Sequence, residues 1–312
     1  MKLLIISVLL TAASAQIFNS TNYLNYNSSS EDNCENVLTV LKNRGLTTLL
    51  GLLAKTELDS VLGGLDGFTI FAPTNEAFEA IDSKVFQMIL GSPDLLNQII
   101  LYHVVPPKMS PTWISALLFE YYLPTLQGEI PLRLNVYRKK GSSIVSGEIV
   151  TVNGALIFDS LQVCNNGYVY FIEKVLNPRD LAPDNTQIEV LKNNGFTTLL
   201  KFYEILGLTP EVNIFFRYET LFAPTDEAFA ALPPGTLESL FANPRALLRN
   251  HFISGTFYKY GLVSGPVPTY SGLNVEVEVI PGGAIFGNAN VVLPDLTTVE
   301  GVIHGIDAVI LG

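Results

Sequence analysis

The sequence predicts an α+β fold built twice in tandem, and three observations carry that prediction. The chain of 312 residues repeats on itself at an offset of about 150: VLKNRGLTTLL (Val40–Leu50) returns as VLKNNGFTTLL (Val190–Leu200), and FAPTNEAF (Phe71–Phe78) as FAPTDEAF (Phe222–Phe229). PTLQG (Pro124–Gly128) answers PTYSG (Pro268–Gly272), and NGYVYFIEKVL (Asn166–Leu176) answers EGVIHGIDAVI (Glu300–Ile310), in the same order. So long a period marks duplicated domains, not a solenoid. Within each half the hydrophobic spacing then changes from a helical to a strand period, which places helices first and strands after. Length agrees, since about 100 to 200 residues make one domain.

The elements follow in chain order. Residues 1–15 (MKLLIISVLLTAASA) set Lys2 before an apolar run and end on small residues, the pattern of a secretory signal cut before Gln16. That run is too short to span a bilayer, and no later stretch reaches spanning length without polar interruption. The C-terminal Ile310-Leu311-Gly312 has none of the spacer and apolar tail of a lipid-anchor signal. Residues 16–33 are rich in Asn, Ser and Tyr and read as a solvated leader, with glycosylation sequons at Asn19 and Asn27. The first domain is expected over 34–178, a short polar link over 179–185, and the second domain over 186–312. With secretion expected, Cys34 and Cys164, the two cysteines of the chain, read as a disulfide.

Val37, Leu38, Leu41, Leu49, Leu50 and Leu53 recur at three- and four-residue intervals, as one helix face does. Thr69-Ile70-Phe71 and Thr220-Leu221-Phe222 are short and β-prone, and Pro73 or Pro224 then stops the ladder. Thr74 and Thr225 follow as N-caps, with Asn75-Glu76 or Asp226-Glu227 in the first helical turn, where negative charge suits the helix dipole. Phe78 and Phe229 fall at the fourth helical position, placed to pack on the preceding proline. Later, Leu273, Val275, Val277 and Val279 alternate with Asn274, Glu276 and Glu278, the signature of a half-buried strand ending at Pro281-Gly282-Gly283.

Composition excludes several classes. With 18 Lys+Arg against 29 Asp+Glu the formal charge is −11, and no basic stretch exists to hold phosphate backbones, so nucleic acid is not an expected partner. A hydrophobic share of 48% excludes a disordered chain. There are three histidines, His103, His251 and His304; the first two are equivalents in separate repeats and are not expected to share a metal. No HExxH, G-x-S-x-G or phosphate-loop pattern is present, so neither cofactor nor metal nor catalytic residue is assigned. Trp113–Tyr122 (WISALLFEYY) reads as a core or domain-contact segment.

The repeated boxes resemble the fasciclin-1 (FAS1, beta-Ig-H3) domain family. TIFAPTNEAF and TLFAPTDEAF are similar to its first box, NGYVYFIEKVLNP and EGVIHGIDAVIL to its second, and Tyr102-His103 to the Tyr-His element between them. The resemblance covers nearly all of both halves. It implies two tandem FAS1-like domains, each a β-wedge packed with N-terminal helices, and a non-enzymatic role in adhesion at cell surfaces, extracellular matrix or cell wall. Partners are then cell-surface, wall or matrix proteins and glycans, and the location extracellular, with the vacuolar lumen as an alternative. Tyr102, His103 and His251 become candidate binding residues, and Thr74, Thr225, His304 and Asp307 structural ones. The second half departs from the pattern at Asn250-His251, and the first at Tyr170 and Glu173, where the other half has His304 and Asp307. Two other functions compete: a carrier or receptor for an apolar small molecule such as a lipid or sterol, and a hydrolase with a dispersed triad.

Overall fold

The structure is a computed structural model that describes residues 36–106, 108–117, 120–138, 148–208 and 218–311. The expected signal, the leader with Asn19 and Asn27, and Cys34 lie outside the described residues. The chain divides at Arg179/Asp180 into two compact units.

The first unit opens with α1 (Val37–Asn43), α2 (Thr47–Lys55) and α3 (Leu58–Gly64). Then come β1 (Phe68–Pro73), α4 (Asn75–Glu79), α5 (Ser83–Leu90), α6 (Pro93–Tyr102), β2 (Val104–Val105) and α7 (Pro111–Ala116). Strands β3 (Glu120–Leu123), β4 (Leu132–Arg138), β5 (Glu148–Val152), β6 (Ala155–Val163) and β7 (Gly167–Ile172) complete it. The sheet order is β2-β1-β7-β6-β5-β4-β3, with β1 and β7 parallel and every other pair antiparallel. Leu126 N, just past β3, donates to Val104 O of β2 at 2.8 Å, which draws the two edges together into a barrel-like sheet.

A run of apolar residues with no alternation suits a strand covered on both faces, and FTIFAP of β1 is buried throughout. Ile70 and Ala72 face a core shared with Leu41, Leu49, Leu53 and Phe78, whereas Phe71 faces the barrel interior beside Leu134, Val150 and Tyr170. One central strand thus separates two cores. The helices that the sequence places first cover one of them. Cys164 is 4% exposed, and no cysteine among the described residues is free.

The second unit contains α8 (Gln187–Asn193), α9 (Thr197–Ile205), β8 (Glu219–Pro224), α10 (Asp226–Ala230), α11 (Thr236–Ala242) and α12 (Pro244–His251). Its remaining strands are β9 (Phe252–Ser254), β10 (Gly265–Pro268), β11 (Asn274–Ile280), β12 (Gly283–Phe286), β13 (Ala289–Thr297) and β14 (Gly301–Ile306). Read from the other edge, its sheet order β10-β11-β12-β13-β14-β8-β9 is that of the first unit strand for strand, again with one parallel pair, β8 with β14. A bridge between Ile253 and Thr269 brings the edges together here. On β11, Val275 and Val277 are buried and Asn274, Glu276 and Glu278 exposed. The alternation ends at Val279, which is 36% exposed beside the hairpin turn. The segment read as a polar link carries a 3-10 turn at Pro178–Leu181; Asn185 Nδ2 donates within it to Asp180 O (3.0 Å) and ties it to β13 by donating to Thr297 O (2.9 Å).

Candidate functional site

The repeated boxes meet each other inside each unit. Thr74 Oγ1 accepts from Ala77 N at 3.3 Å and Thr225 Oγ1 from Ala228 N at 3.2 Å, capping α4 and α10. The next residue caps a different helix. Asn75 Oδ1 accepts from Thr48 N at 3.0 Å while its Nδ2 donates to Gly45 O at 2.9 Å. Asp226 Oδ1 accepts from Thr198 N at 2.7 Å, and Oδ2 accepts from the Thr197 hydroxyl. The strand-to-helix corner therefore supplies the missing cap of α2 or α9, helices whose own N-cap residues, Leu46 and Phe196, have no side-chain oxygen. Partial burial pushes the Asp226 carboxyl up, but hydrogen bonds from Thr197 and Thr198 outweigh it and hold the pKa below its ordinary value.

All three histidines are buried, and each has both ring nitrogens engaged by backbone. In His103, Nδ1 donates to Ile99 O (2.7 Å) and Nε2 accepts from Leu176 N (2.9 Å). His251 repeats this with Leu247 O (2.8 Å) and Ile310 N (3.1 Å). A carbonyl only accepts and an amide N–H only donates, so the ring must be neutral with its proton on Nδ1. Burial, opposed by the bond to the helix carbonyl, lowers the pKa of both to about 4. Each ring is a rivet from the last turn of a helix to the segment after the central parallel strand.

His304 makes a second rivet with the opposite tautomer: Nε2 donates to Phe257 O (2.8 Å) and Nδ1 accepts from Asp295 N (3.2 Å). Burial lowers its pKa, with Asp295 and the Phe257 carbonyl opposing. At the same place in the first unit Tyr170 donates its hydroxyl to Met109 O at 2.7 Å. The loop residue so held also donates its N–H to a strand threonine at 2.9 Å in each unit, Met109 to Thr69 and Phe257 to Thr220. Different side chains thus perform one function. Asp307 stays exposed and accepts from both Asn290 N and Asn290 Nδ2 at 2.7 Å, fastening β14 to β13.

This geometry corrects the expected binding residues. Tyr102 is 0% exposed, His103 3% and His251 0%. The Tyr102 hydroxyl donates to Pro131 O (2.8 Å) and accepts from Asn153 Nδ2 (2.9 Å) inside the barrel. The three side chains lie at the inward ends of α6 and α12, where the helix must be fixed to the sheet, and they present no face to a partner. No histidine ring nitrogen is left unengaged by backbone. An apolar cleft of the first unit, among Leu49, Phe78, Phe86, Leu96 and Ile99, encloses about 20 Å³. That is space for one water, far below the hundreds of Å³ that a lipid or sterol needs. Among the described residues no group of acidic, His and Cys side chains is arranged to hold a metal, and no helix is long and apolar enough to cross a membrane.

The segment read as core or domain contact splits in two. Ile114 is 2% exposed, whereas Trp113 (38%) and Tyr121 (44%) stand outside, ring edge to ring face at 5.4 Å. This pair of exposed aromatics was not separable from its buried neighbour in the sequence, because Trp113 lies on α7 and Tyr121 on β3 and no local spacing encodes their meeting.

Comparison with known proteins places the fold. The sequence matches the fasciclin domain over residues 44–178 and 194–312. The chain belongs to the fasciclin domain family, as two tandem FAS1 domains of α+β architecture. It is 28% identical over 280 residues to transforming growth factor-beta-induced protein ig-h3 of Sus scrofa, covering 86% of this chain and 38% of that one. It is 26% identical over 280 residues to periostin of Homo sapiens, covering 86% and 31%. The chain thus spans about a third of the length of these relatives. A solved FAS1 domain pair from the insect cell adhesion molecule Fasciclin I aligns with 87% of this chain and 98% of its own, at 24% identity and a TM-score of 0.40.

Proposed function

We propose that the protein is a secreted, non-enzymatic adhesion or matrix-interaction protein whose two fasciclin domains contact extracellular proteins or glycans. The observation that carries this reading is the pair of fasciclin domains whose histidines, with Thr74, Asn75, Thr225 and Asp226 of the boxes, are engaged in holding the fold. Those side chains are spent on the fold, so the proposed contact is one of surface residues. Similarity to the ig-h3 protein and to periostin supports the same reading. Two modules on one chain suit weak contacts, since a second engagement gains from effective concentration. The exposed Trp113–Tyr121 pair is the proposed contact surface of the first domain, because aromatics with two-torsion side chains lose little entropy on binding. Tyr102, His103 and His251 act on attachment only through the fold they hold. Processing before Gln16, sugars on Asn19 and Asn27, and a Cys34–Cys164 disulfide belong to the same proposal.

Attachment of cells or matrix to the immobilised full chain tests it. A Trp113→Ser, Tyr121→Ser variant that keeps the wild-type thermal transition is expected to lose most attachment, and Tyr102→Phe to retain it in proportion to folded protein. Absence of attachment by the wild-type chain to any cell or matrix preparation rejects the adhesion reading; full attachment by the double variant rejects the surface.

A further inference from the structure

The second unit contains a buried polar cluster that none of the rivets uses. Glu219, at the start of β8, is 0% exposed, and Glu300, in the turn between β13 and β14, is 3% exposed. Gln187, the first residue of α8, joins them. Its Nε2 donates to Glu219 Oε1 at 2.8 Å and its backbone N–H to Glu300 Oε2 at 2.9 Å, while Tyr203 of α9 donates its hydroxyl to Gln187 Oε1 at 3.1 Å. Glu219 Oε2 is buried without a well-formed hydrogen bond. The groups facing this carboxyl are Glu300, the Tyr203 phenol of α9, the Tyr270 phenol beyond β10 and the Gln187 amide of α8. Arg249 of α12 donates its Nε to the Tyr270 carbonyl at 2.9 Å. No cation among the described residues pairs with Glu219. At the matching positions the first unit has Val37, Leu53, Phe68 and Asn166. There Asn166 Oδ1 accepts from Val37 N at 2.9 Å, as Glu300 does from Gln187 N, and no carboxyl is present.

We propose that Glu219 is a proton-operated latch: neutral, it leaves α8 seated on the sheet, and loss of the proton sets a buried charge beside Glu300 whose desolvation outweighs the stronger bond from Gln187 and releases α8. A buried carboxylate with a like-charged neighbour and no cation is the unfavourable state, and the neutral acid is what this cluster accommodates. Burial pushes the Glu219 pKa from 4.5 up to about 8, Glu300 adding to the shift while Gln187 and Tyr270 oppose it. Because the folded value is raised, the stabilisation is complete below the unfolded value near 4.5 and is lost as pH rises toward 8. The first unit lacks the carboxyl and serves as an internal reference.

Hydrogen exchange of the full chain at pH 6.5 and pH 8, corrected for the intrinsic pH dependence of exchange, tests the latch above the pH at which the folded His103 and His251 titrate. Opening of α8 is expected to increase about tenfold relative to α1 between the two pH values, and Glu219→Gln is expected to abolish that difference. Equal changes in α8 and α1, or a tenfold change that persists in Glu219→Gln, overturns the proposal. Should that variant not fold, carbon NMR of the wild-type carboxyl decides: Glu219 protonated at pH 6.5 supports the latch, and Glu219 ionised there overturns it.

Discussion

The two domains are built on one strand order, yet they fill the same place with opposite materials. Where the helical layer meets the start of the central strand, the first has Val37, Leu53 and Phe68, and the second Gln187, Tyr203 and Glu219, all inside the fold. What does not differ is the bond to the first helix N–H, made by Asn166 in one and Glu300 in the other. The comparison teaches that the topology is set by backbone-directed stitches, while the substance around them is free to change. Tyr170 and His304 make the point again, as a phenol and an imidazole reaching equivalent carbonyls. The second domain bears the cost of its choice in buried titratable groups.

The most severe way to break the comparison is at the glycines that begin β7 and β14. A Cβ on Gly301 lands on the Glu219 carbonyl, backbone that cannot move aside, whereas on Gly167 it comes within 2.7 Å of Phe68 O. Gly301→Ala is expected to cost about 3 kcal/mol or more, enough to unfold the second domain, and Gly167→Ala about 2 kcal/mol. Denaturant unfolding of the full chain, with exchange protection of β8 and β1 to assign each domain, measures both. Equal losses would deny that the second domain is the tighter at this point.

Acid is the next test. His103 in the first domain, and His251 with His304 in the second, are neutral when folded, with pKa values lowered from 6.5. An unfolded histidine takes up its proton near pH 6.5, whereas the folded His103 and His251 resist until about 4. The stabilisation from these rings is therefore whole above 6.5 and is lost as pH falls from 6.5 toward 4, by about 3 kcal/mol for each of His103 and His251. In a Glu219→Gln background, which removes the opposing gain from that carboxyl, two such groups against one predict that protection of α12 falls more steeply with acid than that of α6. Parallel loss in the two helices would show that the rings are not the controlling groups.

Replacing the interchangeable pair sharpens the comparison further. Tyr170→Phe removes one hydrogen bond and is expected to cost about 1 kcal/mol, whereas His304→Phe strands both Phe257 O and Asp295 N and is expected to cost about 2 kcal/mol. Equilibrium denaturation of each variant reads the difference.

How much of this was legible in the sequence follows from the range of the forces involved. The duplication, the helical face of Leu41, Leu49 and Leu53, the Thr74 and Thr225 caps and the alternation of β11 are local patterns, set within a few residues, and reading along the chain finds them. Burial of Tyr102 and His103 is not local. It depends on where Pro131, Asn153 and Leu176 return, which no spacing around α6 encodes. The family resemblance pointed to those residues without saying on which side of the surface they lie. The acid cluster left a signal that was available: aligning the halves sets Glu219 opposite Phe68, a charge at a strand position otherwise apolar.

The smallest expected effects lie at the corner caps, where the two domains differ by one charge. Asn75 caps α2 as a neutral amide and Asp226 caps α9 as a carboxylate, at backbone distances of 3.0 and 2.7 Å. A carboxylate gains from the positive end of the helix as well as from the hydrogen bond, and that gain is screened by salt. Asp226→Asn is therefore expected to cost about 0.5 kcal/mol at low ionic strength and less at 1 M salt, while Asn75→Asp is expected to stabilise the first domain by a similar amount under the same conditions. Thermal melting of both variants at two ionic strengths measures it. Effects of opposite sign that shrink together in salt would locate the difference in charge. An Asp226→Asn loss that salt leaves unchanged would assign it to hydrogen-bond geometry, and the two corners would then differ in shape and not in electrostatics.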